Sequence, residues 1–109
     1  MIYEQRTYLI PSGKLGAILD RFRDHSMALL KKHGIDVVGF WTTHLGDRAN
    51  GELMYICEYE DLAAREAAWA TFVVDPDWVE AKRVSELAGP IVDQVNIKIL
   101  KATDFSPIQ

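Results

Sequence analysis

Two β-rich runs on either side of Asn50-Gly51 constrain this chain more than any other feature. Residues 35–59 read IDVVGFWTTHLGDRANGELMYICEY. Val37, Val38, Phe40, Trp41 and Thr42 lie in the first run, and Leu53, Met54, Tyr55, Ile56 and Tyr59 in the second. β-Branched and aromatic residues favour a pleated strand, and the stretch from Gly46-Asp47 to Asn50-Gly51 supplies residues that tolerate positive φ. Neither run alternates cleanly between apolar and polar. Val37 and Val38 are neighbours, as are Phe40 and Trp41, so the hairpin presents apolar side chains on both faces and needs a cover on each.

The flanking segments supply one cover. Residues 2–10, IYEQRTYLI, read as a strand with Ile2, Glu4, Arg6 and Tyr8 on one face and Tyr3, Gln5, Thr7 and Leu9 on the other. Pro11-Ser12-Gly13 ends it, with Ser12 placed to cap a helix. That helix carries Leu15, Ile18, Phe22, His25 or Ser26, Leu29 and Leu30 at helical spacing, and Gly34 closes it after Lys31 and Lys32. Asp61 opens a second, alanine-rich helix whose stripe is Leu62, Arg65, Trp69, Phe72 and Val73. Asp75-Pro76, an N-cap followed by a first-turn proline, begins a third short helix that Gly89-Pro90 ends. A last strand runs from about residue 91 to 100.

The order is βαββαβ, which predicts an α+β, ferredoxin-like domain: a four-stranded antiparallel sheet with helices on one face. The domain spans residues 1–103, and 104–109 form a tail. The second face of the sheet stays open in a monomer. Burying roughly 1,000 Å² of apolar surface there supplies on the order of 25 kcal/mol gross. Pairing of two open faces in a homodimer is the expected solution.

Composition removes several classes of partner. A net charge of −4 offers no basic footprint, so nucleic acid is not expected. No apolar run approaches the roughly 20 residues of a membrane helix. The single cysteine, Cys57, has no partner within the chain, which suits a reducing cytoplasm. A strand-like run follows Met1 directly, with no signal-peptide pattern.

Glu4, Arg6 and Tyr8 are the first candidates for chemistry, with Glu58 of the neighbouring strand expected to meet Arg6. One reading is a guanidinium that binds a carboxylate or enolate oxygen, with Tyr8 as proton donor. The other is an Arg6–Glu58 pair that serves dimer registry. His25 lies near the core stripe, where an imidazole between helix and sheet suits proton transfer, although a surface histidine fits the same position. His44 ends a strand and would reach the cavity mouth. Trp41, Trp69 and Trp78 read as core anchors or as an aromatic wall for a flat ligand. The histidines lack metal-ligand spacing, so no metal and no cofactor is expected. Cys57 reads as a small buried residue with no base beside it.

YEQRTYLIPSGKL, KKHGIDVVGFWTTHLG and DLAAREAAWATFVVDPDW together resemble the NIPSNAP family, and the resemblance covers Ile2 to about Lys101. It implies a dimeric α/β barrel in which two ferredoxin-like sheets close face to face. That superfold holds cofactor-free oxygenases, haem-degrading proteins, isomerases and proteins with no known reaction. The expected role is therefore a homodimer that binds a small molecule in a helix–sheet cavity. A cofactor-independent oxygenase or isomerase acting on an aromatic or enolisable substrate is the alternative, and a non-catalytic interaction module the third.

Overall fold

The computed structural model describes residues 1–109. Its strands are β1 (Ile2–Leu9), β2 (Asp36–Thr42), β3 (Glu52–Tyr59) and β4 (Gln94–Leu100). Its helices are α1 (Leu15–Arg21), a π-helical turn (Phe22–Ser26), α2 (Met27–Lys32), α3 (Leu62–Val73) and α4 (Pro76–Ser85). The four strands form one antiparallel sheet in the order β2-β3-β1-β4, the ferredoxin-like arrangement. β1 is thus an interior strand, hydrogen-bonded on both sides.

Register decides which face each side chain occupies. Glu4 sits opposite Cys57, Arg6 opposite Tyr55 and Tyr8 opposite Leu53, so these six side chains share the helix-covered face. Leu53, Tyr55, Cys57 and Tyr59 are buried there against Ile18, Phe22, Leu30 and Phe72. Tyr3, Gln5, Thr7, Met54, Ile56 and Glu58 share the opposite face. The doubly apolar character of β2 has a specific cause. The β2–β3 register shifts between Val37 and Gly39, so Val37 pairs with Cys57 and Phe40 with Tyr55 on the covered face. Trp41 pairs with Met54 on the open face, and its indole lies over Gly39. A Cβ at Gly39 would stand 2.7 Å from Trp41 Cη2, so a larger residue there would displace the indole.

Helix ends follow local chemistry in three places out of four. Asp61 accepts from the Ala64 amide at 2.8 Å and starts α3, and Asp75 accepts from the Asp77 amide at 2.8 Å with Pro76 behind it. Gly34, at φ 76°, turns the chain out of α2 in the left-handed conformation that glycine adopts without steric cost. Ser12 does not cap α1. It lies in the turn with Gly13, and Lys14 takes the N-cap position with no side-chain hydrogen bond. The other departure is the π turn: the Met27 amide donates to the Phe22 carbonyl, five residues back.

The tail folds back across one end of the open face. The Tyr3 hydroxyl donates to the Gln109 carbonyl, and Ile108 and Ser106 stand over Ile56, Val38 and Leu100. Beyond the tail the face stays uncovered around Trp41, and Val38 remains partly exposed at the tail's edge. No helix is long and apolar enough to cross a membrane.

Candidate functional site

The covered face of β1 carries three polar side chains where a core would ordinarily carry aliphatics. Glu4 is fully buried, and its carboxylate is saturated with donors. Oε2 accepts from Arg6 Nη1 at 2.9 Å and from Arg65 Nη2 at 2.8 Å. Oε1 accepts from the Tyr59 hydroxyl at 2.7 Å and, more weakly, from Trp69 Nε1 at 3.3 Å. Burial by itself raises the Glu4 pKa, but the hydrogen bonds from Arg65, Tyr59 and Arg6 outweigh it and hold the carboxyl below its ordinary 4.5. Tyr59 moves the other way, upward through burial and its bond to the Glu4 carboxylate. Burial likewise lifts the Cys57 thiol to about 11, which leaves it an inert core group.

Arg6 continues the network toward the helices. Its Nε donates to the Tyr55 hydroxyl at 2.9 Å, and its guanidinium lies 4.4 Å from the centroid of the Trp69 ring. Nη2 reaches the Tyr8 hydroxyl only at 3.5 Å, the outer limit of a hydrogen bond. A guanidinium carries five N–H donors, so Arg6 retains unused ones. The Tyr8 and Tyr55 hydroxyls are 2.9 Å apart, and burial with the neighbouring Tyr8 pushes the Tyr55 pKa well above its ordinary value.

Between this floor and the helices lies a cavity of about 220 Å³. Arg6, Tyr8 and Tyr55 of the sheet line it from below. Phe22 and Ser26 of the π turn, Trp69 and Phe72 of α3, and Trp78 of α4 enclose it, with Lys82 at the rim. The rings pack closely: Phe72 is 5.1 Å from Trp69 and 5.0 Å from Trp78 between centroids. Ser26 is buried, and its hydroxyl has no hydrogen-bond partner. Arg6 and Arg65 share the Glu4 carboxylate, and Arg65 pairs outward with the exposed Glu66 at 2.6 Å, so the charges of the network balance. The arrangement is therefore a small aromatic box with the Arg6 guanidinium in its floor and Ser26, its hydroxyl unpartnered, in its roof. It suits a flat organic anion.

Of the residues singled out in the sequence, Arg6, Tyr8, Trp69 and Trp78 meet at this cavity, and Glu58, Trp41, His25 and His44 do not. Glu58 is not the partner of Arg6. It stands opposite Tyr3 and Asp36 on the open face, because one step in strand parity moves a side chain through the sheet. Trp41 is on that open face as well. His25 is exposed, pointing away from the sheet beside Asp24, Asp77 and Glu80, and Ser26 takes the inward position that the stripe left open between them. His44 is exposed in the loop after β2. Trp69 and Trp78 pack against the core and also line the cavity wall. Tyr55, Arg65 and Ser26 were not singled out. Arg65 had a visible signal, since a cation on an apolar helical stripe requires a buried anion beneath it.

A second groove, of about 320 Å³, lies between the tail and the open face, lined by Tyr3, Val38, Ile56, Leu100 and Ile108 among others. It is larger but almost wholly apolar, without converging donors, and has the character of a packing surface.

Comparison with known proteins adds the family. The NIPSNAP family model matches residues 3–107. This chain belongs to the NIPSNAP family. Solved NIPSNAP structures share its architecture. An Agrobacterium tumefaciens NIPSNAP family protein with unknown function is 28% identical, with a TM-score of 0.86 over 100% of this chain and 94% of that one. A NIPSNAP-like domain protein from Burkholderia xenovorans is 25% identical, with a TM-score of 0.84 over 97% and 88% of the two chains. An antibiotic biosynthesis monooxygenase shares the fold more distantly, at 12% identity and a TM-score of 0.58 over 94% and 99%. No curated protein sequence matches the chain.

Proposed function

We propose that this NIPSNAP protein binds a small, flat organic anion, a carboxylate or enolate, in the helix–sheet cavity. The observation that carries the reading is Arg6: a cation at the cavity wall, held by Glu4 and Tyr55, with N–H donors to spare. An ion pair serving stability alone needs no spare donors facing an adjoining space. At about 220 Å³ the cavity falls below the range of about 300–1,000 Å³ usual for drug-sized ligands, so a single ring with an acidic substituent is the class that fits. Lys82 at the rim adds attraction for an incoming anion. The working unit is a homodimer in which a second copy covers the exposed open face around Val38 and Trp41.

A catalytic extension rests on the paired hydroxyls. Tyr8 and Tyr55 stand beside Arg6, so an enolate held by the guanidinium would have a phenol as proton donor, the chemistry of an isomerase. The monooxygenase named among the fold neighbours is consistent with small-molecule chemistry on this scaffold, at a distance that carries fold only.

Calorimetric titration with benzoate tests the binding. Benzoate should bind the native protein, benzyl alcohol should not, and Arg6→Met should remove benzoate binding while the protein stays folded. Benzoate binding that survives Arg6→Met, or an absence of binding by benzoate to the native protein, refutes the reading.

A further inference from the structure

Ser26 has a place in the fold that its own helix does not explain. A serine inside an α-helix ordinarily turns its hydroxyl back to the carbonyl four residues earlier. For Ser26 that carbonyl belongs to Phe22, which accepts from the Met27 amide in the π turn, and the Ser26 hydroxyl makes no bond to it. The Ser26 hydroxyl is left buried, 2% exposed, without a partner, on the wall of the aromatic cavity. A buried hydroxyl without a partner is a standing cost, and an alanine would fill the position without it. Sites of this kind are where a ligand group completes the hydrogen bonding. Local π insertions are in turn frequent at functional sites, because the extra residue re-aims side chains that a regular helix would send elsewhere.

Arg6 and Ser26 line the cavity from opposite layers, β1 and the π turn, with Phe22, Tyr55, Trp69 and Phe72 around the space between. We infer that the ligand is a ring bearing two polar groups at opposite ends: an anionic group on Arg6 and a hydroxyl or carbonyl oxygen on Ser26. This rests on the proposed anion site and narrows it, from small flat acids in general to hydroxy- or oxo-substituted aromatic or enolic acids. A ring with only the acidic group would leave Ser26 as unsatisfied as it is in the free protein. A ligand with a second polar group close to the acid would leave it so too, because both groups would lie at the sheet.

Titration with benzoate and with the 2-, 3- and 4-hydroxybenzoate isomers tests this on the full chain. The better of the 3- and 4-isomers should bind about tenfold more tightly than benzoate, the gain of one well-placed hydrogen bond. The 2-isomer should show no gain. Ser26→Ala should bring the 3- and 4-isomers back to the affinity of benzoate while leaving benzoate itself unchanged, and its melting temperature should not fall. If benzoate binds through Arg6 but no isomer gains, or if the gain survives Ser26→Ala, the role of Ser26 is overturned and the anion site stands. If neither benzoate nor any isomer binds, the anion site falls and this inference falls with it. A marked loss of stability in Ser26→Ala would show a structural role and likewise overturn the inference.

Discussion

The buried network on β1 predicts a strongly unequal response to removing its two ends. Glu4→Gln takes the only anion away from Arg6, leaves Arg65 with the exposed Glu66 alone, and places an amide against four donors. Breaking a buried pair by neutralising one member costs about 3–5 kcal/mol, a large share of the roughly 5–15 kcal/mol that holds a domain folded. Arg6→Met is a different event. Glu4 keeps Arg65, Tyr59 and Trp69, the Tyr55 hydroxyl keeps Tyr8, and methionine fills most of the space, so the cost should be about 1 kcal/mol or less. In the Arg6→Met background, Glu4→Gln should cost about 1–3 kcal/mol less than in the native protein, since one of the two orphaned guanidiniums is gone. Urea unfolding of the two single variants and the double gives all four corners of this cycle. Equal losses for the two single changes, or a coupling indistinguishable from zero, would refute the assignment of Glu4 as the anchor. The same carboxylate gives a pH signature. Its folded pKa lies below the ordinary 4.5, so the unfolded chain takes up the proton first as pH falls. The contribution is whole above about pH 5 and is lost as pH drops through the ordinary value toward the folded one, a loss that Glu4→Gln should abolish.

Two further outcomes follow from the fold. Asp75 caps α4 through Oδ1 and accepts from Lys32 at 2.8 Å and His33 at 2.7 Å through Oδ2, so Asp75→Ala should lower the melting temperature by on the order of 5 °C in calorimetry, and an unchanged melting curve would contradict the cap. Light scattering at micromolar concentration should give a particle of twice the 12.4 kDa chain mass, and a stable monomer would remove the proposed cover of the open face.

Element order and strand pairing were legible because each boundary had its own chemistry. Asp61, Asp75-Pro76 and Gly34 each mark an end through a local interaction that needs no tertiary partner. The π turn was not legible, since a 3.6-residue period drawn through Leu15, Ile18 and Phe22 assigns His25 or Ser26 to the inner face equally well. One inserted residue settles the matter in favour of Ser26, and only the backbone shows where it lies. The bulge in β2 is the same kind of event in a strand. Val37 and Phe40 differ in parity yet share the covered face, so an odd separation between apolar residues signalled a register shift as much as two faces.

The partner of Arg6 shows why site reading is harder than fold reading. Glu4, Arg6 and Tyr8 were recognisable as one face from alternation alone, but the anion was sought across the sheet when it stood two residues away on the same strand. Glu58 has the right strand and the wrong parity. Alternate residues on one strand point the same way and sit close enough for a guanidinium to fold back, which makes an E-x-R pattern in an interior strand a self-contained pair. Arg65 descends from α3 onto the same carboxylate oxygen and pairs outward with Glu66, so the charges of the network balance. What stability does not account for is placement: Arg6 keeps N–H donors to spare and lies against an aromatic space whose opposite layer carries Ser26, a buried residue with an unpartnered hydroxyl.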